Sequence, residues 1–289
     1  MTETPREITL DFNHRTIAAR RWGDPDGVPV LALHGWFDNC ASFDRLAPLL
    51  EGIDLVAIDM AGHGRSYHRS YDANYNIWEE VEDVVGVTEA LGWRRFSLLA
   101  HSRGAVASML AAGAFPRRIE RMALIDGLVP PPASAGEAPE ILARAIAQRA
   151  RYGAVRPREF SSLAEATEAR RNGMFKLSQA AARALVERGT RPGREGLTWS
   201  SDPRLKATST AKLTDDQVRA FLDRIHEADV PVRLVLALDG IEGMAERMQP
   251  LLQGYSNIAV REMHGGHHLH MEEGAEEIAE WFGPFLRGE

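Results

Sequence analysis

The sequence predicts an α/β protein whose mostly parallel sheet is doubly wound by helices, with a helical block inserted late in the chain. Three observations carry this expectation. The apolar segments 28–35, 55–59, 96–100, 121–126 and 230–238 run without alternation, the pattern of strands covered on both faces. Helical spacing separates them, as right-handed crossovers between parallel strands require. Finally, 289 residues, at about 150 per domain, suit one large domain carrying an insertion, or two modest domains.

In order, segments 8–12 and 16–22 read as a hairpin with Asn13-His14 near its turn. A buried strand over 28–35 ends in Gly35, and apolar residues at Phe43, Leu46, Leu49 and Leu50 have helical spacing. The strand 55–59, a helix from Ile77 to Leu91, the strand 96–100, a small-residue helix over about 103–114 and the strand 121–126 follow. The alternation stops at Pro130-Pro131-Pro132. From there to Leu213 the chain is rich in Ala, Arg and Glu and no strand is expected. Helices are expected at 141–152, 163–173 and 177–189, with Gly173 and Gly189 where C-terminal caps belong. A helix at about 214–228, the strand 230–238, a helix from Gly243, the strand 257–263 and a last helix resume the alternation. Residues 1–128 and 214–289 therefore read as one α/β core, and 129–213 as an inserted helical cap above one end of its sheet.

Hydrophobic residues make up 44% and charged residues 26%, ordinary globular usage that excludes a disordered chain. With 34 Lys+Arg against 41 Asp+Glu the net charge is −7, which argues against a nucleic-acid partner. No stretch has the 18 or so uninterrupted apolar residues of a membrane span, and the start MTETPREITLDF lacks a signal-peptide layout. The single cysteine, Cys40, cannot form an internal disulfide, so a reducing cytoplasm is the simplest home.

The strongest chemical signal is FSLLAHSRGAVAS (96–108), where a strand meets a helix at Ser102. A strained turn in that place lifts a serine hydroxyl to the C-terminal edge of the sheet. Gly104 satisfies the need for a small neighbour, while Ala100 stands where the first glycine of G-x-S-x-G would be. The competing reading is a serine that only caps the helix. In LALHGWFDN (31–39) the strand ends beside this turn, so the backbone N–H groups of Trp36 and Arg103 can form an oxyanion hole, with His34 structural. The glycine-rich loop in 57–68 is read as structural, with His63 and Arg65 bonding the loop.

MHGGHHLHMEE (263–273) offers His264, His267, His268 and His270 as a base, and Gly265-Gly266 leaves room to turn His267 inward. Clustered histidines can also hold zinc. There is no H-E-x-x-H, no nearby cysteine and no third-ligand motif, so no metal is expected. Two aspartates could orient the base: Asp239 after the penultimate strand, and Asp126 at the strand before the insertion. Chain order leaves both open.

With these residues placed, the chain resembles the α/β-hydrolase superfamily, and more closely the serine hydrolase-like proteins. The likeness rests on HGWFDNCASFDRLAPLL (34–50), IDMAGHGRS (58–66), LLAHSRGAVAS (98–108), IDG (125–127), DPRL (202–205) and GGHHLHMEE (265–273). The HGW-x-DN-x-x-SFD run is the specific part. The resemblance implies an α/β-hydrolase fold, Ser102 as nucleophile, His267 as base, and Trp36 and Arg103 as backbone donors. It favours Asp126 as the acid, with Asp239 second. Ala100 and Arg103 depart from the usual pattern, and Arg103 is expected either to meet a substrate carboxylate or to pair with a nearby acid, the latter being favoured.

The leading expectation is a cofactor-free serine hydrolase that cleaves a small carboxylic ester or related acyl bond through an acyl-enzyme. Serine at 102 argues against dehalogenase and epoxide hydrolase chemistry, which use an aspartate there. The alternatives are C–C bond hydrolysis or a perhydrolase reaction with the same residues, or a non-catalytic binding protein on this fold. Met174, Phe175 and Trp199 are candidates for the substrate pocket, with plain packing inside the cap as the competing reading for each. The partner expected is a small molecule; the sequence carries no sign of oligomeric state.

Overall fold

In the computed structural model, which describes residues 4–131 and 133–289, the chain opens with a hairpin of β1 (Arg6–Phe12) and β2 (Arg15–Gly23). Pro132 of the proline run and the first three residues of the amino-terminal segment lie outside the described residues. Asn13 and His14 form the two-residue turn with φ of 45° and 62°, the positive values that match the twist of paired strands. Then come β3 (Val28–Leu33), β4 (Ile53–Ile58), α1 (Glu79–Ala90), β5 (Phe96–His101), α2 (Arg103–Ala114) and β6 (Ile119–Ile125).

Between β6 and the return to the sheet lie α3 (Ala138–Gly153), β7 (Glu159–Phe160), α4 (Leu163–Arg171), α5 (Gln179–Gly189), β8 (Thr190–Pro192) and β9 (Leu197–Trp199). The chain closes with α6 (Asp215–Glu227), β10 (Val232–Asp239), α7 (Met244–Leu252), β11 (Ile258–Gly266) and α8 (Ala275–Arg287).

The main sheet has the order β1-β2-β4-β3-β5-β6-β10-β11, parallel from β4 through β11 and antiparallel only at the β1–β2–β4 edge. Its central strands explain their unbroken apolar sequence. Leu31, Leu33, Val56, Ile58, Leu98, Leu124 and Leu234 face one core, packed with α1, α2, α6 and α7. Val30, Ala32, Leu55, Ala57, Leu99, Ile125 and Val235 face the other, with Phe43, Leu46 and the α8 residues Ile278, Phe282 and Leu286. Both side-chain directions are buried, so alternation disappears from the sequence.

Two expectations need correction. The helical spacing at 43–50 belongs to two 3₁₀ turns, Cys40–Phe43 and Ala47–Leu49. The Asp59 carboxylate holds the Cys40 N–H and the Asn39 side chain caps Ala41, while Pro48 removes a donor from the second turn. The inserted block also contains strand: β7, β9 and β8 form a small antiparallel sheet, each strand two or three residues long and too short to show a period.

Segments of this block touch the loops that leave β3 and β11. Arg170 bonds Asp38, Asn39 donates to the Leu185 carbonyl, Ser178 N–H meets Glu272, and the Trp36 indole reaches the Leu205 carbonyl at 3.0 Å. The DPRL stretch ties the returning chain back to the core through Asp202, which accepts from Tyr75 and Arg204.

Candidate active site

Ser102 joins β5 to α2 with φ 52° and ψ −115°, a strained conformation for any residue with a Cβ and one that costs about 1–3 kcal/mol. The surroundings hold it there. Ser102 N–H bonds the Ile125 carbonyl at 3.0 Å, and two glycines allow the backbones to close in. A Cβ on Gly104 would lie 2.2 Å from the Leu33 carbonyl oxygen, and one on Gly127 would lie 2.8 Å from Ser102 Cα. Ala100, by contrast, fits in the core without exposure.

Although Ser102 sits at the helix start, its side chain makes no capping bond among the described residues. Its Oγ instead lies 2.9 Å from His267 Nε2, on the loop after β11. His267 Nδ1 in turn meets Asp126 Oδ2 at 2.5 Å. Since the carboxylate can only accept, Nδ1 carries the proton and Nε2 presents its lone pair to the serine.

The fold separates the two aspartates that chain order left open. Asp126 turns inward at the end of β6 with φ 44°, is buried, and accepts the Ala237 N–H with its second oxygen at 3.0 Å. Gly240 leaves the necessary room, because a Cβ there would come within 2.5 Å of Asp126 Oδ2. Asp239 lies exposed at the end of β10, where its carboxylate faces the Gly265 N–H at 3.4 Å.

Leu33 pairs with Ala100 across β3 and β5, so the Gly35-Trp36 turn leaves the sheet next to Ser102. Arg103 is the first residue of α2, where a backbone N–H has no acceptor within the helix. Its guanidinium is bound to Glu80 Oε1 and the Tyr75 carbonyl. Burial raises the Glu80 carboxyl above its usual range, with Arg103 opposing the shift.

His34 and His63 are structural donors and acceptors. His34 Nε2 accepts from Met60 N–H while Nδ1 donates to the Gly35 carbonyl. His63 Nε2 accepts from Phe37 N–H and Nδ1 donates to Ala61. Burial holds both rings below the ordinary histidine range, so both are neutral. Arg65 meets Asp59 through its backbone N–H.

Of the three pocket candidates, Phe175 stacks against the His267 ring at 4.2 Å between centroids, and Met174 is exposed beside it. Trp199 packs edge-on to Phe160 at 4.9 Å, in a small cluster with Ala166 and Val186.

Sequence reasoning passed over His101 and Asp38. Both are fully buried next to His268, and their signal was present: Asp38 belongs to the HGW-x-DN run and His101 directly precedes Ser102. Burial drives the His101 ring down to about 3, aided by His267. Burial would push the Asp38 carboxyl up, but His268 and Arg170 hold it well below the usual range.

A family model described as the α/β-hydrolase fold matches residues 28–273. A probable serine hydrolase of Drosophila melanogaster is 29% identical, over 92% of this chain and 83% of its own length. A serine hydrolase-like protein of Danio rerio is 31% identical, over 94% and 85%. Among solved structures, a hypothetical protein of Pseudomonas aeruginosa PAO1 is 43% identical with a TM-score of 0.92, covering 97% of this chain and 99% of that one. The thioesterase domain from the curacin biosynthetic pathway is 25% identical with a TM-score of 0.84, covering 96% and 99%.

Proposed function

The chain belongs to the α/β-hydrolase family, in its serine hydrolase-like group, and on that premise we propose that it cleaves small carboxylic esters or related acyl bonds through an acyl-enzyme. The observation that carries this reading is the continuous hydrogen-bonded row from Ser102 Oγ through His267 to Asp126, set on a strained turn at the sheet edge.

In this reaction Ser102 Oγ attacks the acyl carbon as His267 Nε2 takes its proton. Asp126 keeps the imidazole in the required tautomer and stabilises the imidazolium. The negative oxygen of the tetrahedral intermediate is met by the N–H groups of Trp36 and Arg103. His267 returns the proton to the leaving alcohol, then draws a proton from water as that water attacks the acyl-enzyme. Collapse of the second intermediate releases the acid and restores Ser102. No cofactor enters these steps.

Residues 129–213 act as a cap over this site in the same proposal. Phe175 lies over His267 and shapes the acyl or alcohol pocket, with Met174 at its rim. Trp199 belongs to the pocket only at a distance, through the packing of the cap. Thioesters join oxygen esters in the substrate range, since one structurally similar protein is a thioesterase domain. A cytoplasmic location is part of the reading and rests on the single cysteine, which is buried and unpaired. No helix among the described residues is long and apolar enough to cross a membrane.

The test is intact mass after treatment with a fluorophosphonate, with peptide mapping and Ser102→Ala alongside. One adduct on Ser102, absent from the variant, followed by turnover of p-nitrophenyl esters or thioesters, is the expected result. A folded protein that takes no adduct would leave a binding role and remove the hydrolase reading.

A further inference from the structure

His101 precedes Ser102 but takes no part in the row from Ser102 to Asp126. Its Nε2 lies 2.8 Å from the His267 carbonyl, which can only accept, so Nε2 carries the ring proton. Nδ1 of the neutral ring is then a bare lone pair. It faces Asp38 Oδ2 at 3.6 Å and has no hydrogen-bond partner among the described residues. Two acceptors confronting each other in a dry interior repel unless a positive charge lies between them.

His268 completes the group. Its Nε2 lies 3.1 Å from the same Asp38 oxygen, and its Nδ1 is buried with no partner among the described residues. The proton of that ring can therefore move from Nε2 to Nδ1 without breaking another bond. Arg170 occupies the other carboxylate oxygen at 2.6 Å and leaves Oδ2 to the two rings.

The three atoms lie within 4.8 Å of one another. Tetrahedral zinc, with bonds of about 2.0–2.2 Å, sets its ligand atoms about 3.4 Å apart. The separations of 3.1 and 3.6 Å fall on either side of that value. Gly35 borders two of these atoms and puts no side chain against them. A Cβ there would stand 2.7 Å from His101 Nδ1 and 2.8 Å from Asp38 Oδ2.

We propose that Asp38 Oδ2, His101 Nδ1 and His268 Nε2 bind a divalent transition metal of the zinc class, seated beside Gly35. Two imidazoles and one carboxylate suit zinc or cobalt and disfavour magnesium and calcium, which prefer all-oxygen sites. Binding uses the Nε2 lone pair of His268, so a proton on that ring must sit on Nδ1. The Arg170 guanidinium opposes the ion, so Arg170→Gln should tighten binding. The proposal does not depend on the hydrolase reading.

The test is titration of metal-free, full-length protein with Co²⁺. One equivalent should produce the visible d–d bands of a tetrahedral nitrogen-oxygen site, and Zn²⁺ should displace them. His268→Gln and Gly35→Ala should each weaken Co²⁺ binding by about 100-fold or more, beyond the cost of losing an outer-shell partner. The exposed His264→Gln and the neighbouring His267→Gln should keep the bands. Absence of bands in the unaltered protein would overturn the proposal whether or not the variants fold. So would bands that survive His268→Gln and Gly35→Ala but vanish in His264→Gln or His267→Gln.

Discussion

Arg103 donates from Nε to Glu80 Oε1 at 2.7 Å, so the cation that follows Ser102 is held by an acid of α1. Of the two roles open to Arg103 from sequence, pairing with a protein carboxylate is the one the fold adopts. Esters that carry a carboxylate should therefore gain no more than about 3-fold in kcat/KM over neutral esters, and Arg103→Gln should leave that ratio unchanged. Glu80→Gln should cost about 1–3 kcal/mol by urea unfolding, less than a fully buried pair because Arg103 is partly exposed. A marked preference for anionic esters that disappears in Arg103→Gln would show the guanidinium reaching substrate.

The two candidate acids should separate cleanly in kinetics. Asp126→Asn leaves the shape of the site but supports the wrong imidazole tautomer, and kcat should fall by about 10⁴-fold. Asp239→Asn alters an exposed carboxylate that, among the described residues, faces the Gly265 N–H, so its effect should stay within about 3-fold. Stopped-flow or steady-state ester hydrolysis reads both, and the reverse order would transfer the role to Asp239.

The turn at Ser102 should be intolerant at one side and tolerant at the other. Gly104→Ala places a methyl 2.2 Å from the Leu33 carbonyl oxygen, and backbone there cannot step aside cheaply. A loss above about 3 kcal/mol, or no soluble protein, is expected. Ala100→Gly restores the more common residue and should cost only about 1 kcal/mol, with kcat within about 3-fold. Thermal unfolding of the pair measures this contrast.

Acid should destabilise the protein well before ordinary carboxylates titrate. His34, His63, His101 and His270 are fully buried, and burial holds each folded-state ring below the ordinary 6.5. Unfolding frees them to take up protons that the native state refuses. Stability is thus fully present above about pH 6.5 and is lost as pH falls toward the depressed values. Each group contributes a slope of up to about 1.4 kcal/mol per pH unit. The urea midpoint should drop steeply between about pH 6 and pH 5; a flat profile there would contradict burial of neutral rings.

Phe175 and Trp199 should respond differently to truncation. Phe175 contacts the His267 ring, so Phe175→Ala should reduce kcat/KM by about 10-fold with little change in the unfolding midpoint. Trp199 packs on Phe160, so Trp199→Ala should lower stability by about 2–4 kcal/mol while kcat/KM stays within about 3-fold. Comparable losses of activity in both would mean that Phe175 and Trp199 act on the site together.

Local pattern carried the elements that repeat or bury both faces. Strands β3, β4, β5, β6 and β10 were visible as unbroken apolar runs, and α2 as a small-residue helix after Ser102, because their side chains meet the same kind of neighbour along their whole length. The strand-to-helix turn at Ser102 and the histidine loop were also legible, since a turn with Gly104 and a flexible Gly265-Gly266 are local needs. Three things were decided only when distant segments met. Phe43 to Leu50 have helical spacing, but the Asp59 carboxylate holds Cys40 and turns the segment into 3₁₀ geometry. Asp126 and Asp239 read alike along the chain, and only the inward turn of β6 against Gly240 and Ala237 brings one of them to His267. Asp38, His101 and His268 come from three separate stretches of the chain. No spacing rule links them, because the contact that joins them is made by neighbouring strand ends in space.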